Sequence, residues 1–279
     1  MLSDVQNRSD HRGVDIQEVG IKRLSLPLLI KEKEGGFQSV TGYITAAVEL
    51  TRRYKGTHMS RFVEVLETWG KRSISNQEVE AVLRSLAARL EARRTSLALT
   101  FRYFLPKRAP VSGHESMMGY PCRFEGRLDG ERFEFVLGVS VPVVSLCPCS
   151  KEISRYGAHN QRAVIRVRLR QAPRRMLWLE DLIRLLELQG SAPIYPLLKR
   201  EDEKAVTEKS YENPKFVEDI LRDTIIALRE DPRVAWFEAE CESYESIHDH
   251  SAFAYHREGL DEGWPYREEE NVFGGSSTP

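Results

Sequence analysis

The cysteines and histidines of this sequence are few, and several fall close together along the chain. Four Cys and seven His occur in 279 residues. Two of the cysteines form Cys147-Pro-Cys149, and His159 follows in Gly157-Ala-His-Asn-Gln161. Because Pro148 fixes its own φ and favours an extended residue before it, the first motif predicts a stiff corner between a strand and a helix. A disulfide between thiols two positions apart would be strained, which favours reactivity or metal binding, with two small buried thiols as the alternative.

A second histidine cluster, Glu245-Ser-Ile-His-Asp-His250, falls between the last two predicted strands. A spacing of two places His248 and His250 on the same face of an extended segment. Together with Cys147 and His159, these residue types form the thiolate, imidazole and carboxylate set that binds Zn²⁺, Fe²⁺ or Mn²⁺ with an open position. The motifs therefore predict a metal site, and a polar, solvated hairpin corner is the alternative.

Acidic residues at two further places could take part in such a site. The run Arg200-Glu-Asp-Glu-Lys204 lies in a predicted irregular segment, 190–212, and could supply a carboxylate or a base, although a solvated charge run is the alternative. Glu218 lies at the edge of the predicted buried stripe of a helix, where an unpaired acid is costly. Its partner could be Arg222, four residues on, or a ligand with adjacent N–H donors such as the edge of guanine.

Basic residues near these motifs are scattered rather than pooled. The sequence contains no glycine-rich GK[ST] loop, which argues against a P-loop nucleotidase. A triphosphate would have to be held by dispersed cations, and the candidates are Arg61, Lys151, Arg155, Arg162, Lys199, Arg200 and Lys204.

The hydrophobic period alternates between that of strands and that of helices. Strands are predicted at 21–30, 37–50, 96–105, 118–128, 131–146, 162–170, 233–246 and 251–258. Four helices are predicted. The first lies at 60–70, and the second begins at a capping box formed by Ser75 and Glu78. The third lies at 177–190, and the fourth lies at 214–230, with Asn213 as N-cap and Pro214 as first residue. The order ββααββ thus occurs twice, which predicts an α+β fold with antiparallel sheets and helices on one face.

Composition limits the class of protein. The net charge is −1, so no basic excess favours nucleic-acid binding. No apolar run reaches the roughly 18 residues of a membrane span, and the polar N-terminus does not resemble a secretory signal. We expect a reduced, cytoplasmic enzyme with a flexible arm at 1–20, one module at 21–128, a second at 129–260 and a flexible tail at 261–279.

A set of collinear motifs resembles the prokaryotic type IB GTP cyclohydrolases. They are Gly56-Thr-His-Met-Ser-Arg-Phe62, Ser145-Leu-Cys-Pro-Cys-Ser-Lys-Glu-Ile-Ser154, Gly157-Ala-His-Asn-Gln161, Asp202-Glu-Lys204, Asn213-Pro-Lys-Phe-Val-Glu-Asp219 and Glu245-Ser-Ile-His-Asp-His250. The resemblance runs from about residue 20 to 258 and does not cover the predicted arm or tail.

The resemblance implies a tunnelling fold (T-fold) of two tandem ββααββ modules and a homotetramer with active sites at subunit interfaces. It implies conversion of GTP and water to 7,8-dihydroneopterin triphosphate and formate, the first step of tetrahydrofolate synthesis. It also implies a divalent metal ion, Mn²⁺, Zn²⁺ or Fe²⁺, and no nucleic-acid or membrane partner.

Carried over by position, the resemblance assigns roles to individual residues. The implied metal ligands are Cys147, His159, Glu203 and His248, with Glu201 as a substitute for Glu203. The implied catalytic groups are Cys147, Cys149, Glu245 and His248. The implied substrate-binding residues are Glu218, which anchors the purine ring, together with Arg61, Lys199, Arg200 and His250.

Two other functions fit part of the pattern. A T-fold nitrile reductase would use the cysteine as a nucleophile toward a nitrile and NADPH as hydride donor, and would not need His159 and His248 as ligands. A structural metal-binding module would have four saturated ligands and no open position.

Overall fold

The computed structural model of the protein describes Gln6 and residues 8–259. The described residues fall into two compact units. One contains the chain up to Arg102 together with Arg123–Val136, and the other contains Tyr103–Cys122 and the chain from Leu137 onward. The predicted tail, 261–279, lies outside the described residues. The predicted arm, 1–20, overlaps the first strand, which begins at Ile16.

Within the described residues the chain forms ten strands and six helices. The strands are β1 (Ile16–Lys31), β2 (Phe37–Leu50), β3 (Ser73–Ile74), β4 (Arg94–Arg108), β5 (Glu115–Asp129), β6 (Arg132–Leu146), β7 (Asn160–Gln171), β8 (Ala192–Pro193), β9 (Val234–Ser243) and β10 (Ala252–Glu258). The helices are α1 (Met59–Gly70), α2 (Asn76–Leu90), α3 (Pro148–Ile153), α4 (Leu179–Glu187), α5 (Arg200–Glu212) and α6 (Val217–Glu230). None of the helices in this part of the chain combines the length and the apolar character needed to cross a bilayer.

The predicted fold class, two tandem ββααββ T-fold modules, was wrong. The described strands form one mostly antiparallel ten-stranded sheet in the order β10-β9-β7-β6-β5-β4-β2-β1-β3, with β8 paired to β6. The second half also has a helix that was not predicted, α5, which precedes α6, and the helix of the predicted Cys147 corner, α3, lies between β6 and β7. Local periodicity shows where strands begin and end, but it does not show which strand edges pair, so it could not distinguish two sheets from one.

In the first unit, α1 and α2 bury their apolar faces. The predicted capping box of α2 is confirmed, since the Ser75 N–H donates to Glu78 Oε2 at 2.9 Å. The buried residues of the two helices are Phe62, Leu66, Val79, Val82, Leu83 and Leu86. Their spacing at three and four residues is the reason that one face of each helix is apolar.

In the second unit, β6, β7, β9 and β10 are neighbouring antiparallel strands. The register places Ser145 beside Gln161 and Ala163 beside Ser243. The predicted buried stripe of α6 is confirmed and consists of Val217, Ile220, Leu221, Thr224 and Leu228. The helix begins later than predicted, with Phe216 rather than Asn213 as N-cap, and the Asp219 carboxylate accepts the Phe216 N–H. The residue before the cap, Lys215, is bonded through its N–H to the Leu146 carbonyl of β6.

The segment 190–212 is not irregular, as the sequence predicted, because it contains β8 and the helix α5. Asp202 caps α5 by accepting the Lys199 N–H at 2.9 Å. Few apolar residues occur in the helix, and its buried residues are Asp202 and Ser210. The hydrophobic period that normally reveals a helix is therefore missing.

Asp231 fixes the turn between α6 and β9. Both of its carboxylate oxygens accept hydrogen bonds from the Arg233 guanidinium, at 2.9 and 2.7 Å, and these bonds hold its pKa below the usual value although burial acts in the opposite direction. Asp231→Asn should lower the free energy of unfolding at pH 7 by about 1–3 kcal/mol. Since the pKa is depressed in the folded state, this contribution is present above the unfolded value of about 3.9 and is lost as the pH falls further.

Thermal unfolding followed by circular dichroism at pH 7, 5, 4 and 3 tests this expectation. The difference between wild type and Asp231→Asn should narrow below about pH 4. The exposed neighbour Glu230, changed to Gln, is the control and should unfold like the wild type at every pH. A difference for Asp231→Asn that stays constant down to pH 3 would contradict the role of the ionised carboxylate.

Candidate functional site

The predicted corner between strand and helix at the Cys147 motif is confirmed. Cys147 is the N-cap of α3, and its Sγ accepts the Ser150 N–H at 3.3 Å. The Cys147 N–H donates to the His159 carbonyl at 3.1 Å, and the His159 N–H donates to Ser150 Oγ at 3.3 Å. Gly157 lets the chain turn back from α3 toward Cys147, because its φ of 139° is one that other residues rarely adopt. Cys147 and His159 therefore lie on adjoining, mutually bonded segments.

The four cysteines, all free, differ in accessibility. Cys147 is half-buried and Cys149, on α3, is exposed. Cys122 and Cys241 are buried in β5 and β9, and burial raises the pKa of Cys241 to about 12. The thiols of the Cys147-Pro-Cys149 motif are thus the ones available for chemistry.

A chain of hydrogen bonds fixes the imidazole of His159. Gln161 Nε2 donates to Glu245 Oε1 at 3.0 Å and to Ser243 Oγ at 3.2 Å. Because an ionised carboxylate only accepts, the amide NH₂ of Gln161 must face Glu245, and its Oε1 must face His159 Nδ1, 2.9 Å away. Nδ1 therefore bears the proton in neutral His159, and Nε2 keeps a lone pair.

The loop between β9 and β10 brings one end of the second histidine cluster to His159. Ser246 Oγ lies 3.4 Å from His159 Nδ1, next to the half-buried Glu245. His248 and His250 are exposed, and their rings stack with centroids 5.4 Å apart. The loop bends rather than extending as predicted, so the two imidazoles stack on each other without a bond to His159.

The segment that leads into Glu218 is bonded to the end of β6, next to the Cys147 corner. The Lys215 N–H donates to the Leu146 carbonyl at 3.1 Å, and Ser145 Oγ donates to the Lys215 carbonyl at 3.0 Å. Glu218 follows in the first turn of α6, exposed, and it makes no hydrogen bond or ion pair with the described residues. Of the two alternatives for its partner, the pair with Arg222 is not formed, since Arg222 bonds Asp219 at 2.8 Å.

Other predicted site residues lie apart from this corner along the chain. Lys199, Arg200, Glu201 and Glu203 are exposed at the beginning of α5. Within residues 8–259 no three His, Cys, Asp or Glu side chains are gathered into a group that could hold a metal ion. The set Cys147, His159, Glu203 and His248 therefore stays a prediction.

Arg61 belongs to the other unit, in the first turn of α1. Its Nη1 donates to the Arg89 carbonyl at 3.4 Å. It lines a cleft of about 330 Å³ together with Tyr54, Thr57 and Glu91. Arg61 and these neighbours form a polar surface with a cation available to a ligand.

Two residues that contact His159, Gln161 and Ser246, are not among the predicted site residues. A signal for Gln161 was present, because it follows His159 by two positions at the beginning of a strand, where alternate side chains share a face. For Ser246 no such signal existed, since its contact with His159 depends on the pairing of β7 with β9.

The comparisons with solved structures concern the fold alone. The chain is similar to uricase from Arthrobacter globiformis, with a TM-score of 0.50 and 8% identity over 90% of this chain and 96% of the other. It is also similar to urate oxidase from Bacillus sp. TB-90, with a TM-score of 0.51 and 9% identity over 88% and 100% of the two chains. These similarities agree with the single large sheet that replaces the predicted T-fold modules.

The comparisons with sequences identify the family. A family model described as type I GTP cyclohydrolase folE2 matches residues 2–254. The protein named GTP cyclohydrolase FolE2 from Magnetococcus marinus is 48% identical over 254 residues, 91% of this chain and 95% of that one. Its namesake from Geobacter sulfurreducens is 49% identical over 253 residues, 91% and 96% of the two chains. The predicted enzyme class is confirmed, although the match is to folE2 rather than to the type IB T-fold enzymes. The chain belongs to the type I GTP cyclohydrolase folE2 family.

Proposed function

We propose that the protein hydrolyses GTP to 7,8-dihydroneopterin triphosphate and formate, the first step of tetrahydrofolate synthesis. Membership of the folE2 family supports this reaction. The observation on which the proposal mainly rests is the hydrogen-bonded junction that joins Cys147 to His159, His159 to Glu245 and Leu146 to the segment before Glu218. In this junction Gln161 links the imidazole of His159 to the carboxylate of Glu245, and Glu218 follows three residues after the bonded Lys215.

In the proposed reaction Glu218 recognises guanine. Its carboxylate is exposed in the first turn of α6 and is not engaged by the described residues, so both oxygens are available. A carboxylate accepts two adjacent N–H groups side by side, which guanine offers and adenine does not. Lys199, Arg200 and Arg61 are the proposed partners of the triphosphate, and His250 is a further proposed contact of the substrate.

A divalent ion, Mn²⁺, Zn²⁺ or Fe²⁺, is part of the proposal. Two side chains have the donor atoms that such an ion needs. His159 presents a lone pair on Nε2, and Cys147 presents a half-buried thiol. Glu203 and His248 would complete the set. When bound, such an ion supplies a water molecule whose pKa is lowered from 15.7 to about 7.

Side chains of the protein would donate and accept the protons of the reaction. One water adds at C8 of guanine and the imidazole ring opens to an N-formyl group, which a second water cleaves to release formate. The ribose then rearranges and closes the pterin ring with loss of one water. Glu245 is held by Gln161 and Ser243 at 3.0 Å each, which fixes a carboxylate for proton transfer to the ring nitrogens. His248 and the exposed Cys149 are the other proposed acid–base groups.

A reconstitution assay tests the proposed function. Metal-free protein is loaded with Mn²⁺, Zn²⁺ or Fe²⁺ separately and given GTP, while formate and the fluorescence of oxidised neopterin are followed. Both products should appear together with GTP and not with ATP, which lacks the guanine N–H pair. Metal-loaded protein that releases neither product from GTP would refute the proposal. We also propose that the protein is cytoplasmic and forms a homotetramer with active sites at subunit interfaces. Size-exclusion chromatography with light scattering measures the molar mass and tests the assembly.

Gln161→Leu should weaken metal retention and activity together. The substitution removes the amide that orients His159 and holds Glu245, and loss of such an orienting partner typically costs roughly 10–100-fold. Metal content by plasma mass spectrometry and the rate of formate release measure both effects. Asn160→Ala, the exposed neighbour on β7, is the control and should behave like the wild type. Normal metal content in Gln161→Leu would argue against its orienting role.

A further inference from the structure

The segment between α4 and α5 has little secondary structure of its own. It contains the two-residue strand β8 and leads into Lys199 and Arg200 at the beginning of α5. The hairpin formed by β4 and β5 bonds to this segment at two points, and both points lie in the same compact unit.

The first point is a buried ammonium group. Lys107, at the end of β4, is 8% exposed, and its Nζ lies 2.7 Å from Glu187 Oε1. The same Nζ donates to the Ile194 carbonyl at 2.5 Å and lies 4.4 Å from the ring centroid of Tyr195. Tyr120, on β5, donates to the same Glu187 oxygen at 2.5 Å. Both strands of the hairpin thus bond to the end of α4, and Lys107 also fixes the backbone that follows it.

The second point is the buried carboxylate of Asp202. Its Oδ1 accepts the N–H groups of Val111 and Ser112, at 2.9 and 2.8 Å, from the turn of the hairpin. Its Oδ2 accepts Ser112 Oγ at 2.6 Å and the Lys199 N–H at 2.9 Å. Asp202 is 0% exposed, so the first turn of α5 is tied to the hairpin by a group that water does not reach.

These two anchors fix the position of the segment between α4 and α5 more than they contribute to the free energy of unfolding. Burying a charged pair costs desolvation that an apolar pair of similar volume avoids, so the Lys107–Glu187 pair is weak evidence of a stabilising role. Charged hydrogen bonds are directional, and each of the two anchors joins the hairpin to a backbone atom of the segment, the Ile194 carbonyl or the Lys199 N–H. The segment between them is fixed from both ends.

We propose that Lys107 and Asp202 are positioning residues that hold Lys199 and Arg200 in place for the phosphate groups of the substrate. This inference rests on the proposed function, in which these two cations bind the triphosphate. A flexible segment would lose conformational freedom each time a nucleotide bound, and the two anchors remove that cost beforehand.

The test compares two double variants. Lys107→Met/Glu187→Met removes the buried pair as a unit, which leaves no unpaired charge behind. Arg108→Met/Glu115→Met removes an exposed pair of the same hairpin, 2.7 Å apart, and serves as the matched control. Hydrogen–deuterium exchange of the peptide 192–203 is measured with the KM and kcat for GTP.

The buried-pair variant should show exchange in 192–203 that is faster by on the order of tenfold, with exchange in β7 unchanged. Its KM for GTP should rise roughly tenfold while kcat changes little, because phosphate contacts contribute equally to ground state and transition state. The control should match the wild type in all three measurements. Unchanged exchange, or an unchanged KM, in the buried-pair variant would overturn the inference. A wild type without GTP turnover would refute the proposed function, whereas the exchange data would still decide whether the hairpin orders the segment.

Discussion

Cys147→Ala should abolish the release of formate from GTP and the retention of the metal together. The residue lies at the corner of β6 and α3, where its thiol accepts the Ser150 N–H and its backbone bonds that of His159. Alanine keeps the backbone bonds and removes the sulfur alone. We expect a loss greater than the roughly 10–100-fold that removal of an orienting residue causes. Formate release and metal content by mass spectrometry measure the two effects.

Two other cysteines serve as comparisons for Cys147. Cys122→Ala changes a buried thiol of β5 and should keep both metal and activity. Cys149→Ala changes the exposed thiol of the same motif and should lower turnover while metal is retained, since its proposed role is in proton transfer. If Cys147→Ala keeps normal metal content and formate release, its assignment as ligand and reactive thiolate is wrong.

Glu218→Gln should reduce kcat/KM for GTP by about 10³-fold. A site built to hydrogen-bond an N–H group rejects a substrate that lacks this group by roughly 10⁴–10⁵-fold, and the expected loss is smaller than this. Glutamine offers one acceptor and one donor, so an N–H donor of the amide would face an N–H donor of guanine. The α6 helix should fold normally, because its N-terminal cap is made by Asp219, which accepts the Phe216 N–H at 3.0 Å.

Substrate preference gives a sharper reading of the Glu218 prediction. Inosine triphosphate lacks the 2-amino group, so the wild type should prefer GTP, and Glu218→Gln should lose most of that preference. Glu230→Gln, at the other end of the same helix, should leave the preference unchanged. A Glu218→Gln enzyme that still prefers GTP over inosine triphosphate as strongly as the wild type does would show that another group reads the guanine edge.

Local features of the chain were predicted well because they depend on neighbours in sequence. The stripe of α6 from Val217 to Leu228 follows from helical spacing, and the capping box of Ser75 and Glu78 follows from residue type. The corner at Cys147 follows from Pro148, which restricts the backbone on both sides. The grouping of Cys147 with His159 was also accessible, because few residues separate them.

Non-local hydrogen bonds explain where the predictions failed. The sequence predicts an irregular segment at 190–212 because the charge run there conceals α5, whose N-terminus is fixed by the turn of the β4–β5 hairpin. The N-cap of α6 differs from the predicted Asn213, and the residue before the cap, Lys215, bonds to the end of β6. In both cases a bonding partner is distant in sequence, and no window of residues contains it.

Residue types, caps and hydrophobic periods were thus enough to locate most helices and strands, to select the Cys147 and His159 motifs, and to suggest the family. The pairing of ten described strands into one sheet, and the contact of Gln161 with Glu245, became visible only in the folded chain. The physical reason is that backbone N–H and C=O groups are alike at every residue. Which strands pair, and in what register, is therefore selected by the packing of the whole sheet rather than by any one segment.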